Sequence, residues 1–242
     1  MGPVLLLTVV AISCGSSGSS SVIVLAASST TNVMQEISSS AEATDPQLHI
    51  DLVVAGSPSL IAQLESGVEA QILVTADEAT MSRAMVGGRI FESPVVIATN
   101  SLVLALAPGN PGAITGLADL TDASLLIGTC AIDVPCGALA ARAVGELGLI
   151  VAADTEELSV RSLATKIKLG EVDAGLVYRT DAESFGLDTI DTTDTRRLDS
   201  YVNEYSLALI GEVPSGQARA VAGLLTGDAG RRILENAGFG QP

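Results

Sequence analysis

Two stretches near the start of the chain repeat one pattern: an aliphatic run, a turn of small hydroxyl residues, then apolar positions at helical spacing. VIVLAASSTTNVM carries Ser28, Ser29, Thr30 and Thr31 at its turn, and DLVVAGSPSLIAQL carries Ser57 and Ser59. Uninterrupted β-branched and aliphatic runs predict strands buried on both faces. The hydroxyl residues stand where a helix needs an N-cap. A helix start also offers unpaired N–H groups and the positive end of the peptide dipoles, and so attracts an anion. Two such starts, each with spare hydroxyls, suggest a pocket for an anion with several oxygens.

The alternation continues along the chain. Helical spacing is expected over 32–43, 59–65 (closed by Gly67), 77–86 (closed by Gly87 and Gly88), 137–147, 160–169 (stopped by Gly170), 215–225 and 228–236. Strands are expected at 71–77, delivering Asp77 as a helix cap, at 101–111, in SLLIGT, in DAGLVY ending at Tyr178, and at 206–210. Strand and helix in turn predict an α/β fold on a parallel sheet, with no long linker dividing it.

Composition narrows the picture. The 242 residues are 48% hydrophobic but only 2% aromatic, without Trp, so the core is aliphatic, which suits helices packed on a sheet. Twelve basic against 28 acidic residues give a formal charge of −16. That argues against nucleic acid as a partner, since backbone binding needs a basic surface. It also means that attraction for a small anion must be local to its pocket.

At the start, residues 4–12 (VLLLTVVAI) are too short an apolar run to span a bilayer as a helix but suit the core of an export signal. AISC with Cys14, then the flexible GSSGSSS, resembles the lipobox of bacterial lipoproteins, in which Cys14 would be acylated and become the new N-terminus. Met1-Gly2-Pro3 supplies no Lys or Arg and departs from the usual positive start. This reading puts a signal and tether at 1–21 and the protein on the outer face of the cell membrane, held by lipid. Of the three Cys, Cys130 and Cys136 then remain, and a close pair in an oxidising compartment is most simply a disulfide. A metal site would need more Cys or His, and a catalytic Cys would need a base; the single His49 lies in the strand-like LHIDLVV.

The segments LAASSTTNVM, AGSPSLIAQLESG, ILVTADEATM, LVLALAPGNP, GLADL, VPCG, LSVRSLATKIKLGEVDAGLVYRTDA and AGRRILENAGF, in that order over 22–242, are together similar to the periplasmic molybdate-binding proteins of ABC importers. The resemblance implies a type II periplasmic-binding-protein fold: two α/β lobes, at 22–99 plus 201–242 and at 100–200, joined by two crossover strands around a ligand cleft. It implies an oxyanion site of the Ser29 and Ser57 hydroxyls, the Cys136 and Val160 backbone N–H groups and the Tyr178 hydroxyl. It further implies a monomer that captures molybdate, and tungstate with it, and delivers it to a permease, with no cofactor and no direct metal ligand. Gln71 stands where that family usually has Asp, which bears on a contact within the first lobe.

Ser, Tyr and backbone N–H are donors without full charge, suited to an anion that is fully deprotonated at neutral pH. Hydrogen phosphate would need an acceptor for its proton, and none of the matched positions is a carboxylate. The enzyme alternative, a hydrolase using Ser29 or Ser57, lacks both a nearby His and the G-x-S-x-G turn, and Lys166 and Lys168 sit at solvent-type helical spacing. A surface adhesion or structural lipoprotein is the third class. Binding without catalysis is the reading these residues favour.

Overall fold

The computed structural model describes residues 21–242, so the expected export run at 4–12 and Cys14 lie outside the described residues. The aliphatic runs assemble into one nine-stranded sheet. Strand β1 (Ser21–Ala27) lies between β2 (His49–Ala55) and β3 (Ile72–Thr75), parallel to both. Strand β4 (Val95–Leu106) is long enough to serve two neighbours. From Val95 to Ser101 it runs antiparallel to β9 (Val202–Leu209), and from Leu102 to Leu106 antiparallel to β7 (Ala174–Tyr178). The far edge of β9 pairs antiparallel with β3. On the other side β7 is followed by β5 (Ile127–Cys130) and β6 (Ala153–Glu157) in parallel, while β8 (Asp188–Thr189) adds a short bridge to β4.

The sheet is therefore mixed where the alternation of strand and helix predicts a parallel one. The reason is physical: a strand buried on both faces carries the same aliphatic signature in either direction. Strands β4 and β9 are the two that run against their neighbours, and both pass from one half of the molecule to the other.

In the first half, Leu25 and Leu73 turn to one face and meet Leu60, Ile61, Leu64 of α2 (Ser57–Glu65) and Met81 of α3 (Glu78–Val86). Val22, Val24, Ile72 and Val74 turn to the other, against Val33, Met34 and Ile37 of α1 (Thr31–Thr44) and Val221 and Leu225 of α7 (Gly216–Thr226). Each such side chain contributes about 1.5–3 kcal/mol on burial. The period of two along the strands thus serves two helical layers. Helix α8 (Asp228–Asn236) follows α7. In the second half, α4 (Pro135–Glu146), α5 (Val160–Leu169) and α6 (Arg179–Phe185) cover the sheet.

Helix starts follow local chemistry. Asp77 accepts from the Thr80 N–H at 2.9 Å, Ser159 from the Ser162 N–H at 3.1 Å and Ser215 from the Ala218 N–H at 3.1 Å. Helix α5 stops at Gly170, whose φ of 70° is open to glycine and strained for most side chains. Gln71, just before β3, accepts the Ile23 N–H through its Oε1 at 2.7 Å. A disulfide joins Cys130 at the end of β5 to Cys136 in the first turn of α4. No helix among the described residues is long and apolar enough to cross a membrane.

Candidate functional site

The first hydroxyl turn is a single 3-10 turn, Ser28–Thr30, between β1 and α1. Thr30 and Thr31 fold back on their own backbone, donating to Ala27 O at 2.7 Å and Ser28 O at 2.5 Å. Ser29 does not, and its Oγ lies 2.8 Å from the Tyr205 hydroxyl. In the second turn Gly56 is the N-cap and Ser57 the first helical residue, whose Oγ accepts the Ala76 N–H at 3.2 Å. Neither α1 nor α2 has a side-chain cap. This corrects the expectation that the hydroxyls cap the helices. In the second turn the reason is steric: a Cβ on Gly56 would lie 2.1 Å from the Leu158 carbonyl oxygen, so no side chain fits at the cap position. With Pro58 lacking an N–H and Ser59 and Leu60 bonded to Gly56 O, the N–H that α2 leaves outside its ladder is that of Ser57.

Two further helix starts arrive from the second half. Helix α4 begins with Pro135, whose fixed φ suits a first turn, and it too lacks a side-chain cap. The first bond back into the cap is from the Ala138 N–H to Val134 O at 2.9 Å, which leaves the Cys136 N–H outside the helical ladder. In α5 the Ser159 cap serves Ser162, and Val160 opens the helix with its N–H likewise outside the ladder. Tyr178 ends β7; its hydroxyl oxygen accepts from Asn203 Nδ2 at 2.8 Å, and the same nitrogen donates to Pro135 O at 3.1 Å.

Ser29, Ser57, Cys136, Val160 and Tyr178 all border one cavity, together with Ala27, Ser28, Gly56, Ala76, Val134 and Pro135. Every one of the expected site residues is thus in the same place, although they come from both halves of the chain. All five are buried, Tyr178 at 1% exposure. None of the described residues lining the cavity is acidic, basic or His. Burial holds the Tyr178 hydroxyl well above its ordinary pKa, reinforced by Tyr205 and by the charges of Asp77 and Asp181 and opposed by the Asn203 donor. It is therefore a neutral donor at physiological pH. A wider cavity of about 200 Å³ lies elsewhere in the second half, among Leu120, Ile127, Val144 and Leu176; it is mostly apolar and has no such convergence of donors.

Behind Ser29 a second layer is polar and buried. Tyr205 on β9 holds Ser29, and Asn100 on β4 donates through Nδ2 to Thr180 Oγ1 at 2.8 Å and to the Tyr205 hydroxyl at 3.5 Å. Asn100 Oδ1 and both carboxyl oxygens of Asp181 are buried without a hydrogen-bond partner. Burial pushes Asp181 from 3.8 up to about 7, against the pull of the Arg161 guanidinium. Asn203, Tyr205, Asn100 and Asp181 escape the sequence reading. The first two had a signal, because their spacing of two in V-N-E-Y puts them on one face of β9. The groups considered as bases are engaged elsewhere: Lys166 pairs with Glu157 at 2.6 Å, Lys168 donates to Gly186 O at 3.1 Å, and His49 lies between Glu42 and Asp51 at the surface.

Two α/β halves linked by two antiparallel strands, with uncharged donors converging where the halves meet, define a solute-binding protein of the two-lobed periplasmic kind. The model of the family described as "Bacterial extracellular solute-binding protein" matches residues 22–240, and the chain belongs to that family. It is 34% identical over 208 residues to the molybdate-binding protein ModA of Mycobacterium tuberculosis, covering 86% of this chain and 79% of the relative. Among solved structures, the periplasmic molybdate-binding protein of Azotobacter vinelandii superposes with a TM-score of 0.74 at 15% identity, over 91% of this chain and 99% of that one. The substrate-binding domain of a molybdenum ABC transporter of Clostridium difficile, itself described as putative, gives 0.65 at 19% identity, over 92% and 99%.

Proposed function

We propose that this protein captures molybdate, and tungstate with it, outside the cytoplasm and delivers it to an ABC importer. The observation that carries the reading is the convergence of the Ser29, Ser57 and Tyr178 hydroxyls and the Cys136 and Val160 N–H groups on one buried cavity without a charged lining. Such a cradle suits an anion whose every oxygen accepts. Hydrogen bonds to a charged group are worth about 1.5–3 kcal/mol each, so several of them, with four helix starts, support tight binding without a buried Lys or Arg. The 34% identity to ModA points to the same ligand.

We read the protein as a binder rather than an enzyme; the partners of Ser29 and Ser57 among the described residues, Tyr205 and a backbone N–H, support that reading because neither is a base. We keep the lobes at 22–99 with 201–242 and at 100–200; the change of partner along β4 after Ser101 supports that division. The lipobox-like AISC supports an anchor through acylated Cys14, with the protein a monomer on the outer face of the membrane. Titration calorimetry with molybdate, tungstate, sulfate and phosphate tests the ligand. Molybdate and tungstate should bind tightly and phosphate should not; phosphate binding as tight as molybdate would overturn the assignment. Incorporation of a labelled fatty acid, abolished by Cys14→Ala, tests the anchor.

A further inference from the structure

Asn203 takes no part in the expected ligand shell, yet it touches two of its members. It sits on β9 opposite Asn100 of β4, where the two crossing strands pair. Its side-chain nitrogen lies 3.1 Å from Pro135 O and 2.8 Å from the Tyr178 hydroxyl oxygen. A carbonyl oxygen only accepts, so the atom facing Pro135 is the NH₂ of the amide, and the orientation of the amide is fixed by chemistry. The second hydrogen of that NH₂ then falls to Tyr178, whose oxygen must accept it. A phenol has one hydrogen of its own, and with its acceptor side filled that hydrogen goes either to the neighbouring Tyr205 hydroxyl or to an acceptor in the cavity the ring borders, where an anion is the stronger claimant. The Ala76 N–H does the same for Ser57 from the other lobe. Each hydroxyl thereby accepts from a protein donor on one side and has its own hydrogen free to donate to an anion in the cavity.

We propose that Asn203 is a specificity-determining positioning residue: by occupying the acceptor side of Tyr178 it locks this hydroxyl as a donor, so that the site takes fully deprotonated tetrahedral oxyanions and rejects those that carry a proton. This rests on the oxyanion reading of the cavity and adds the reason for its selectivity. A protonated oxyanion brings an O–H that needs an acceptor, and a donor locked toward it leaves that hydrogen facing another hydrogen. Discrimination of this kind is strong because the misfit leaves buried polar groups unpaired. Through Pro135 the same amide also fixes the first turn of α4, which carries the Cys136 N–H.

The test is a double-mutant cycle read by calorimetry, with molybdate and inorganic phosphate as probes. Binding of molybdate to the wild-type protein tests the oxyanion reading itself; its absence overturns both. Asn203→Leu removes the donor and frees Tyr178 to turn either way. Molybdate affinity should then fall about tenfold, with phosphate affinity unchanged or tighter, so the ratio of the two narrows by at least about tenfold. In a Tyr178→Phe background Asn203→Leu should cost little more, because its effect passes through the hydroxyl. Asn203→Asp has the shape of the native residue and accepts from Tyr178 instead of donating. It keeps the question open should the Leu variant not fold, and it should lower the molybdate-to-phosphate ratio further. An equal loss for both anions, or a loss in the Phe background as large as in the wild type, would make Asn203 a merely structural residue and overturn the proposal.

Discussion

Replacing Asp181 by Asn should stabilise the protein, and by an amount set by pH. Asp181 lies in the first turn of α6 with both carboxyl oxygens buried and unpartnered, facing Tyr178 on β7, Tyr205 on β9 and the Arg161 guanidinium of α5. Its carboxyl is raised from 3.8 in the unfolded chain to about 7 in the fold. A raised pKa means that the fold holds the proton more tightly than the unfolded chain. The stability this lends is complete below 3.8, declines as pH rises, and is gone above about 7. The gap of about 3 pH units corresponds to about 4 kcal/mol. Asn has the same shape and no charge, so Asp181→Asn should leave stability nearly unchanged near pH 4 and raise it progressively to as much as about 4 kcal/mol by pH 8, less what Arg161 loses in attraction. Urea unfolding of both proteins without ligand across that range, with equal slopes, reads the difference directly. Carboxylates held low by their partners, such as Asp119 and Glu157, contribute equally to both proteins and cancel. A difference independent of pH, or a variant less stable than the wild type at pH 8, would refute the account of Asp181 as a buried, unpaired acid.

Four other outcomes are expected. Gly56→Ala should weaken molybdate binding strongly, because the added Cβ would lie 2.1 Å from Leu158 O and push apart the α2 and α5 starts that border the cavity; equal affinity in calorimetry would contradict this. Ser29→Ala and Ser57→Ala should each cost about 1–3 kcal/mol of molybdate binding, and unchanged titrations in both would remove them from the site. Mass spectrometry of exported protein without reductant should find no free thiol at Cys130 or Cys136, and reduction should weaken binding through the Cys136 turn. With a net charge of −16, the stopped-flow association rate for molybdate should hold or rise as inert salt is added, since screening beyond about 10 Å at 0.1 M removes only the long-range repulsion; a steep fall would mean that Arg161 or Arg179 steers the ligand in.

Much of this molecule is legible in its residues, and the illegible parts have definite causes. Helix α5 is read with its bounds and its Gly170 stop because apolar spacing, cap and terminator agree. Strand β6 is passed over since ADTEE is half-exposed and acidic, without the aliphatic run that marks an inner strand. Helix α6 is missed because it is short and hides a carboxylate, which sequence patterning assigns to the surface. The direction of β4 and β9 leaves no trace in composition, and only the family resemblance anticipates the crossing. The five expected residues border one cavity, but the serines do not cap the helices, because Gly56 holds the cap position of α2 where no side chain fits and the Ser29 oxygen is engaged by Tyr205. Asn203 acts through a partner in another element, and no local pattern in the chain records such a partner.

The position of β9 between β3 and β4 also governs the order in which the molecule can assemble. Strands β1 to β3 are made first, yet the outer edge of β3, whose residues are all buried in the finished fold, has no neighbour until Val202–Leu209 has been made. Over that interval an apolar edge stands open, the arrangement most prone to pairing with another chain. Strands β5, β6 and β7, by contrast, come from one continuous stretch and can pair among themselves while the last strand is still missing. The half built on β1 to β3 is thus the first to be synthesised and the last to be completed, and its completion needs a pairing between distant segments of the chain, the kind of contact that forms slowly.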